Sequence, residues 1–349
     1  MTHQEASRSI YKEIQAISKD FKAKYPLFEH QDGIGLGILL ASNVMIVLAV
    51  FGYLSGYVNM WITLLWIAFW ASILHEIEHD LIHYLYFKKN PFWHNFMMLG
   101  VWIFRPMTVS PWYRRYLHLH HHKYSGTDSD LEERGVTNGE KWGLFRAFIM
   151  PDQILSFALR ARKMYPEIRK MEKEGKFTQE EVKNLWRIAY SGFLPVGIPL
   201  YLMWYGFVLG YIVLGIAAMF GLNLPFSTEI SHFLAFSQPF VVLLIAPNLL
   251  RHFCLHFITS NLHYYGDIEK GNILQQTQIF NAWWTFPFQL FCFNFGTTHA
   301  IHHFFVQETF YIRQFTAKQA VEVLKRYGVR ENDLGTFKRA NRYFEQNGL

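Results

Sequence analysis

The chain has 349 residues, of which 51% are hydrophobic, 18% aromatic and only 17% charged, and its formal net charge is +6. A soluble domain carries about a quarter charged residues, so this composition excludes an ordinary soluble protein. The basic excess forms no stripe on a polar domain, which argues against a nucleic-acid partner, and positive bias in cytosolic loops accounts for it.

Residues 1–30 read as a polar, amphipathic helix outside the bilayer, with no apolar run of the kind a cleavable signal needs. Residues 33–54 are apolar and uncharged, a first membrane span, and residues 57–74 are a second after a Ser55-Gly56 turn. The second continues in helical pattern through His75-Glu76-Ile77-Glu78-His79-Asp80-Leu81-Ile82-His83. Residues 88–187 are mostly polar and include Lys88, Lys89, Arg105, Arg114 and Arg115, so this loop is expected to be cytosolic. Within it, residues 92–104 are apolar but too short to span and read as interfacial. Thr178-Gln179-Glu180-Glu181 has capping-box spacing and predicts a helix start.

Residues 190–222 exceed one simple span, and Pro195 and Pro199 divide them into an interfacial piece and a span. Residues 238–257 predict the last span, running into a second histidine-bearing helix, and residues 283–295 are apolar but short. A capping box at Thr316-Ala317-Lys318-Gln319 predicts a helix in the tail. Four spans place all histidine-bearing segments on one side of the membrane; three or five do not. The expected fold is all-α and integral to the membrane, about four transmembrane helices with a cytosolic helical cap over the histidines. No linker or repeat divides the chain. One domain over 1–349 is expected: a polar segment 1–32, a core 33–310 and a soluble tail 311–349. Cys254 and Cys292 both lie in apolar segments, so no disulfide framework is expected.

Thirteen of the 17 histidines fall in four clusters. His75, His79 and His83 are four apart, a spacing that puts all three on one helical face. His118-Leu119-His120-His121-His122 is an H-x-x-H-H pattern with one extra histidine, and His299-Ala300-Ile301-His302-His303 repeats it without the extra. His252, His256 and His263 close the last span. Imidazole suits iron, zinc or copper and not calcium or magnesium. One metal takes about three or four protein ligands, so eight or more converging histidines are enough for two. Lone histidines such as His3, His30, His94 and His232 read as ordinary hydrogen-bonded core residues. His75-Glu76-Ile77-Glu78-His79 also matches the H-E-x-x-H pattern of zinc proteases, but an intramembrane zinc protease would leave both H-x-x-H-H clusters without a role.

An H-x-x-x-H box followed by two H-x-x-H-H boxes, set around four spans, resembles the membrane fatty acid desaturase and hydroxylase superfamily over roughly residues 35–310. The resemblance implies a di-iron centre at the cytosolic face, O2 as co-substrate and electrons from a separate ferredoxin, rubredoxin or cytochrome b5 type of donor, since no fused donor is visible. Box one is His75/His79 or His79/His83, with His79-Asp80-Leu81-Ile82-His83 preferred. Box two is His118, His121 and His122, with His120 doubtful. Box three is His299, His302 and His303. A further ligand on the last span falls at His263, with His256 second. Asp80, Asp128 and Asp130 are candidates to orient imidazole N–H groups. The implied activity is desaturation of a lipid or thioester acyl chain, with a hydroxylase as the alternative. The basic loop residues are candidates for docking an acidic electron carrier.

Overall fold

The computed structural model describes residues 1–127, 130–135 and 137–345. Helices dominate, and among the described residues there is no strand, only isolated bridges pairing His263 with Thr277 and Ile279 with Glu331. Helix α1 (His3–Lys24) opens with a capping box, the Glu5 N–H donating to Thr2 and the Thr2 N–H to the Glu5 carboxylate at 2.8 Å. Its Ile10 and Ile14 pack against Ala320 and Leu324 near the other end of the chain.

Four helices are long and apolar enough to cross a membrane: α2 (Gln31–Leu54), α3 (Met60–Ile82), α8 (Gly197–Phe220) and α9 (Ser227–Leu262). Between α3 and α8 lie α4 (Pro91–Ile103), α5 (Pro111–Tyr124), α6 (Gln153–Lys173) and α7 (Gln179–Ser191). After α9 come α10 (Phe295–Phe304) and α11 (Phe310–Arg326). Rows of large apolar side chains stand exposed on α2 (Val44, Leu48, Phe51) and α8 (Leu209, Ile216, Phe220). A lipid layer covers such rows at no desolvation cost to the backbone, whose bonds close within each helix.

The sequence-derived elements hold with three corrections. The stretch 88–187 is built from α4 to α7 and two short helices, Leu131–Gly135 and Leu144–Ile149; the box at Thr178 is present and starts α7. The helix that carries the last span begins at Ser227 and not at 238, because Ser227, Thr228, Glu229 and Ser231 lower the hydropathy without breaking the helix. Pro239 and Pro247 flank a widened π turn at Val241–Ile245, which absorbs the hydrogen bonds a proline cannot make. At 36 residues, α9 is about 54 Å long against a hydrocarbon layer of about 30 Å, so part of it lies outside that layer. Third, Thr316 caps nothing. It sits inside α11, its hydroxyl donating to the Ile312 carbonyl, and the helix starts six residues earlier after Thr309.

Pro195 falls between α7 and α8, and Pro199 in the first turn of α8, where its missing N–H costs nothing. Of the lone histidines, His94 is buried with Nδ1 at 2.9 Å from the Tyr86 carbonyl. His30 and His232, by contrast, are exposed and not core residues.

Candidate metal centre

Each histidine reaches the centre because a local rule places it there. The last two turns of α3 are wholly buried, so its i, i+4 spacing aims His79 and His83 the same way. Helix α5 starts with Pro111 in its first turn and carries His118, His121 and His122. Helix α10 starts after Asn294, which takes the left-handed conformation that a short polar side chain tolerates, and it carries His299, His302 and His303. His263 ends α9 in extended backbone, bridged to Thr277.

Two groups of four result. His79, His83, His118 and His302 form the first, and His121, His263, His299 and His303 the second, with candidate ligand nitrogens within 4.8 Å of one another in each. Each H-x-x-H-H triplet feeds both groups. His122 sits at the seam, its Nε2 at 3.1 Å from Nε2 of both His118 and His302 and its ring centroid 4.9 Å from that of His303.

These residues fit a pair of metal ions. The Nε2 atoms of His302 and His83 are 3.1 Å apart, those of His303 and His299 3.1 Å, and those of His263 and His303 3.0 Å. A metal binding imidazole nitrogen at about 2.1 Å sets neighbouring ligand atoms about 3.0–3.4 Å apart. Both ring nitrogens of His79, and Nε2 of His121, are buried with no hydrogen-bond partner. Buried polar atoms of that kind require an explanation, and an ion is the natural one.

Carboxylates behind the rings orient several of them. His118 Nδ1 is 2.9 Å from Glu132 Oε2 and His121 Nδ1 is 2.9 Å from Asp130 Oδ2, whereas His263 Nδ1 lies 3.4 Å from Glu133 Oε1 without a hydrogen bond. Asp80 acts differently: it pairs with Arg313 at 3.0 Å, and Arg313 Nη1 lies 2.9 Å from His302 Nδ1. Asp128 lies outside the described residues. Burial, followed by neighbouring charge, pushes His118, His122, His299, His302 and His303 well below the ordinary histidine range, so they stay neutral with a lone pair to offer. His121 is the exception. Burial opposes its charged form, but Asp130, with help from Glu133 and Glu132, outweighs burial and pushes it up to about 9.

The remaining sequence candidates lie elsewhere. His75 belongs to neither group: a guanidinium can only donate, and Arg114 Nη2 occupies the His75 Nε2 lone pair at 2.8 Å. The zinc-protease pair His75/His79 is therefore split, with ring centroids 6.4 Å apart. His256 also lies outside both groups, its Nδ1 at 2.9 Å from the Met150 carbonyl. His120 points to the other side of α5, against Tyr124 and Phe177. Sequence reasoning missed Glu132, Glu133 and Arg313. The acidic run after box two was the available signal for the first two; nothing local marks Arg313.

A sequence model of the fatty acid desaturase family matches residues 55–335, and the chain belongs to that family. No curated protein sequence matches it. The family is one of di-iron oxidoreductases acting on fatty acids, and with four helices of spanning length the protein is integral to the membrane.

Proposed function

We propose that the protein is an O2-dependent desaturase that introduces a double bond into a lipid acyl chain. The observation that carries this reading is the pair of adjacent four-histidine groups, a ligand set that exceeds the needs of one metal. His79, His83, His118 and His302 would hold one iron and His121, His263, His299 and His303 the other, with His122 available at the seam. Two irons there supply the oxidant that an unactivated methylene requires and side chains cannot provide. The acyl chain gives up two hydrogens, and with one dioxygen, two electrons and two protons these leave as two waters. The electrons come from a separate carrier.

The chain's own residues do the rest. Glu132 and Asp130 accept hydrogen bonds from the Nδ1–H groups of His118 and His121, which leaves the Nε2 atoms facing inward. Arg313, fixed by Asp80, packs behind the His302 ring; with an ion on Nε2 the His302 Nδ1 carries the proton, and the Arg313 contact is then one of packing and not a hydrogen bond. Phe295 stacks on His299 at 4.2 Å and meets the His79 ring edge to face at 5.8 Å, excluding water from that side. We place the active site and both termini in the cytosol, on the basic stretch 88–187 and the shared side of the histidine boxes.

The test is lipid profiling of cells with and without the chain, joined to metal analysis of anaerobically purified protein. New unsaturated acyl chains with about two irons per chain are expected. A hydroxylated product would make it the hydroxylase that shares this ligand set. One zinc and no oxidised lipid would end the reading.

A further inference from the structure

A cavity of about 220 Å³ opens beside both histidine groups, with His118, His121 and His299 in its wall. Side chains of α6 and α7, among them Phe157, Ile168 and Trp186, make another wall largely apolar. The rest is polar and charged, and besides Glu132 and Glu133 it holds three arginines. Arg105, Arg114 and Arg251 all line the cavity, and Arg105 and Arg251 are 0% and 1% exposed.

Glu78 answers two of these charges, pairing with Arg105 and taking a hydrogen bond from Arg114 at 2.9 Å. Glu132, 3.7 Å from Arg114, is already held by His118, and Glu133 lies beside His263 at 3.4 Å and pairs with none of the three arginines. Arg251 has no ion pair among the described residues, and its Nε is buried without a hydrogen-bond partner. Arg105 Nη1 and, two turns along α9 from Arg251, Thr259 Oγ1 are likewise buried and unpartnered. A guanidinium keeps its proton inside a protein, so this wall cannot relieve itself by becoming neutral. An unmatched buried cation is costly unless something negative meets it. Metal ions in the adjoining groups would add positive charge, and a purely hydrocarbon ligand would leave the demand unmet.

A carboxylate meets it: it is planar, carries one charge and accepts the two parallel hydrogen bonds a guanidinium offers. We propose that this cavity seats an amphiphile by a free carboxylate on Arg251 and Arg105, with its apolar chain against α6 and α7, so that the substrate is a carboxylic acid and not an ester or thioester. Only the word substrate rests on the desaturase reading; the binding site does not.

The experiment is calorimetric titration of the full-length protein, purified in a non-ionic detergent, with octanoate, octanamide and octyl phosphate. Octanoate is expected to bind at least about tenfold tighter than the isosteric amide. That preference should vanish in Arg251→Gln and return in part in Arg251→Lys. Equal binding of acid and amide by the unaltered protein overturns the proposal whether or not the variants fold. So does an undiminished preference in a folded Arg251→Gln. Tighter binding of octyl phosphate than of octanoate overturns the carboxylate assignment in favour of a phosphate. Octanoate bound with no oxidised lipid in cells would fault the desaturase reading alone, whereas oxidised phospholipid chains with no preference for octanoate would fault this site alone.

Discussion

Replacing Asp130 tests the second histidine group without touching a ligand. Asp130 is 1% exposed, and its carboxylate accepts from His121 Nδ1 at 2.9 Å and from the backbone N–H groups of Gly126 and Glu133, each at 3.3 Å. Asp130→Asn keeps the shape and one acceptor oxygen but removes the charge. A charge-assisted hydrogen bond contributes about 1.5–3 kcal/mol and a neutral one about 0.5–1.5, so at about pH 9, where the His121 proton no longer competes, the change weakens metal binding at His121 by about 1.4 kcal/mol, roughly tenfold. Asp130→Ala leaves the imidazole N–H and two backbone donors unanswered, and the loss should approach about a hundredfold. Anaerobic titration with Fe(II) against a competing chelator measures both. The first group, which Asp130 does not touch, should keep its affinity, so the alanine variant should hold about one iron where the unaltered protein holds about two.

The same residue sets a pH dependence. Because His121 is pushed up to about 9, it is protonated in the metal-free protein at neutral pH, and a metal must displace that proton. Affinity at the second group should rise about tenfold per pH unit from about 7 to about 9 and then level, and Asp130→Asn should flatten the rise. Stability of the metal-free fold runs the other way. The ion pair contributes fully below the ordinary histidine value of 6.5 and fades as pH rises through about 9. An Asp130→Ala protein that keeps two irons at unchanged affinity at about pH 9 would refute the assigned role.

Three further outcomes are expected. His302→Ala or His303→Ala should abolish turnover while the protein still inserts and purifies, and His232→Ala, at an exposed site, should match the parent; near-normal specific activity in either box-three variant would remove that box from the centre. His263→Ala should lose about half the metal, because it takes one of four nitrogens from the second group, whereas His256→Ala and His252→Ala should keep both ions, which elemental analysis of the purified variants will decide. Cysteines introduced at the exposed positions Arg8 and Lys318 should both label from the cytosol only, since α1 and α11 pack together; labelling of either from outside would break the four-span arrangement.

What was legible in the sequence was local. A stretch such as 33–54 declares a span by length and lack of charge, and His79 and His83 share a face because a helix repeats every 3.6 residues. The two triplets and the polar His263 beyond the last span could be read as candidate ligands in the same way. Which histidines would share an ion was not legible. His118 and His121 are one turn apart, yet they belong to different groups, because α10 contributes to both: His302 joins His79 and His83 in one, and His299 and His303 join His263 in the other. His75 has the same spacing as His79 and His83 and still falls outside, because Arg114, thirty-nine residues on, takes its nitrogen. The extra length of α9 was hidden by polar residues that interrupt hydropathy but not helical hydrogen bonding. Arg251 looked like one more charge at the end of a span, and only packing shows that no carboxylate among the described residues meets it. Helical period assigns a side chain to a face, and only the packing of distant helices decides which faces meet and which charges are left without a partner.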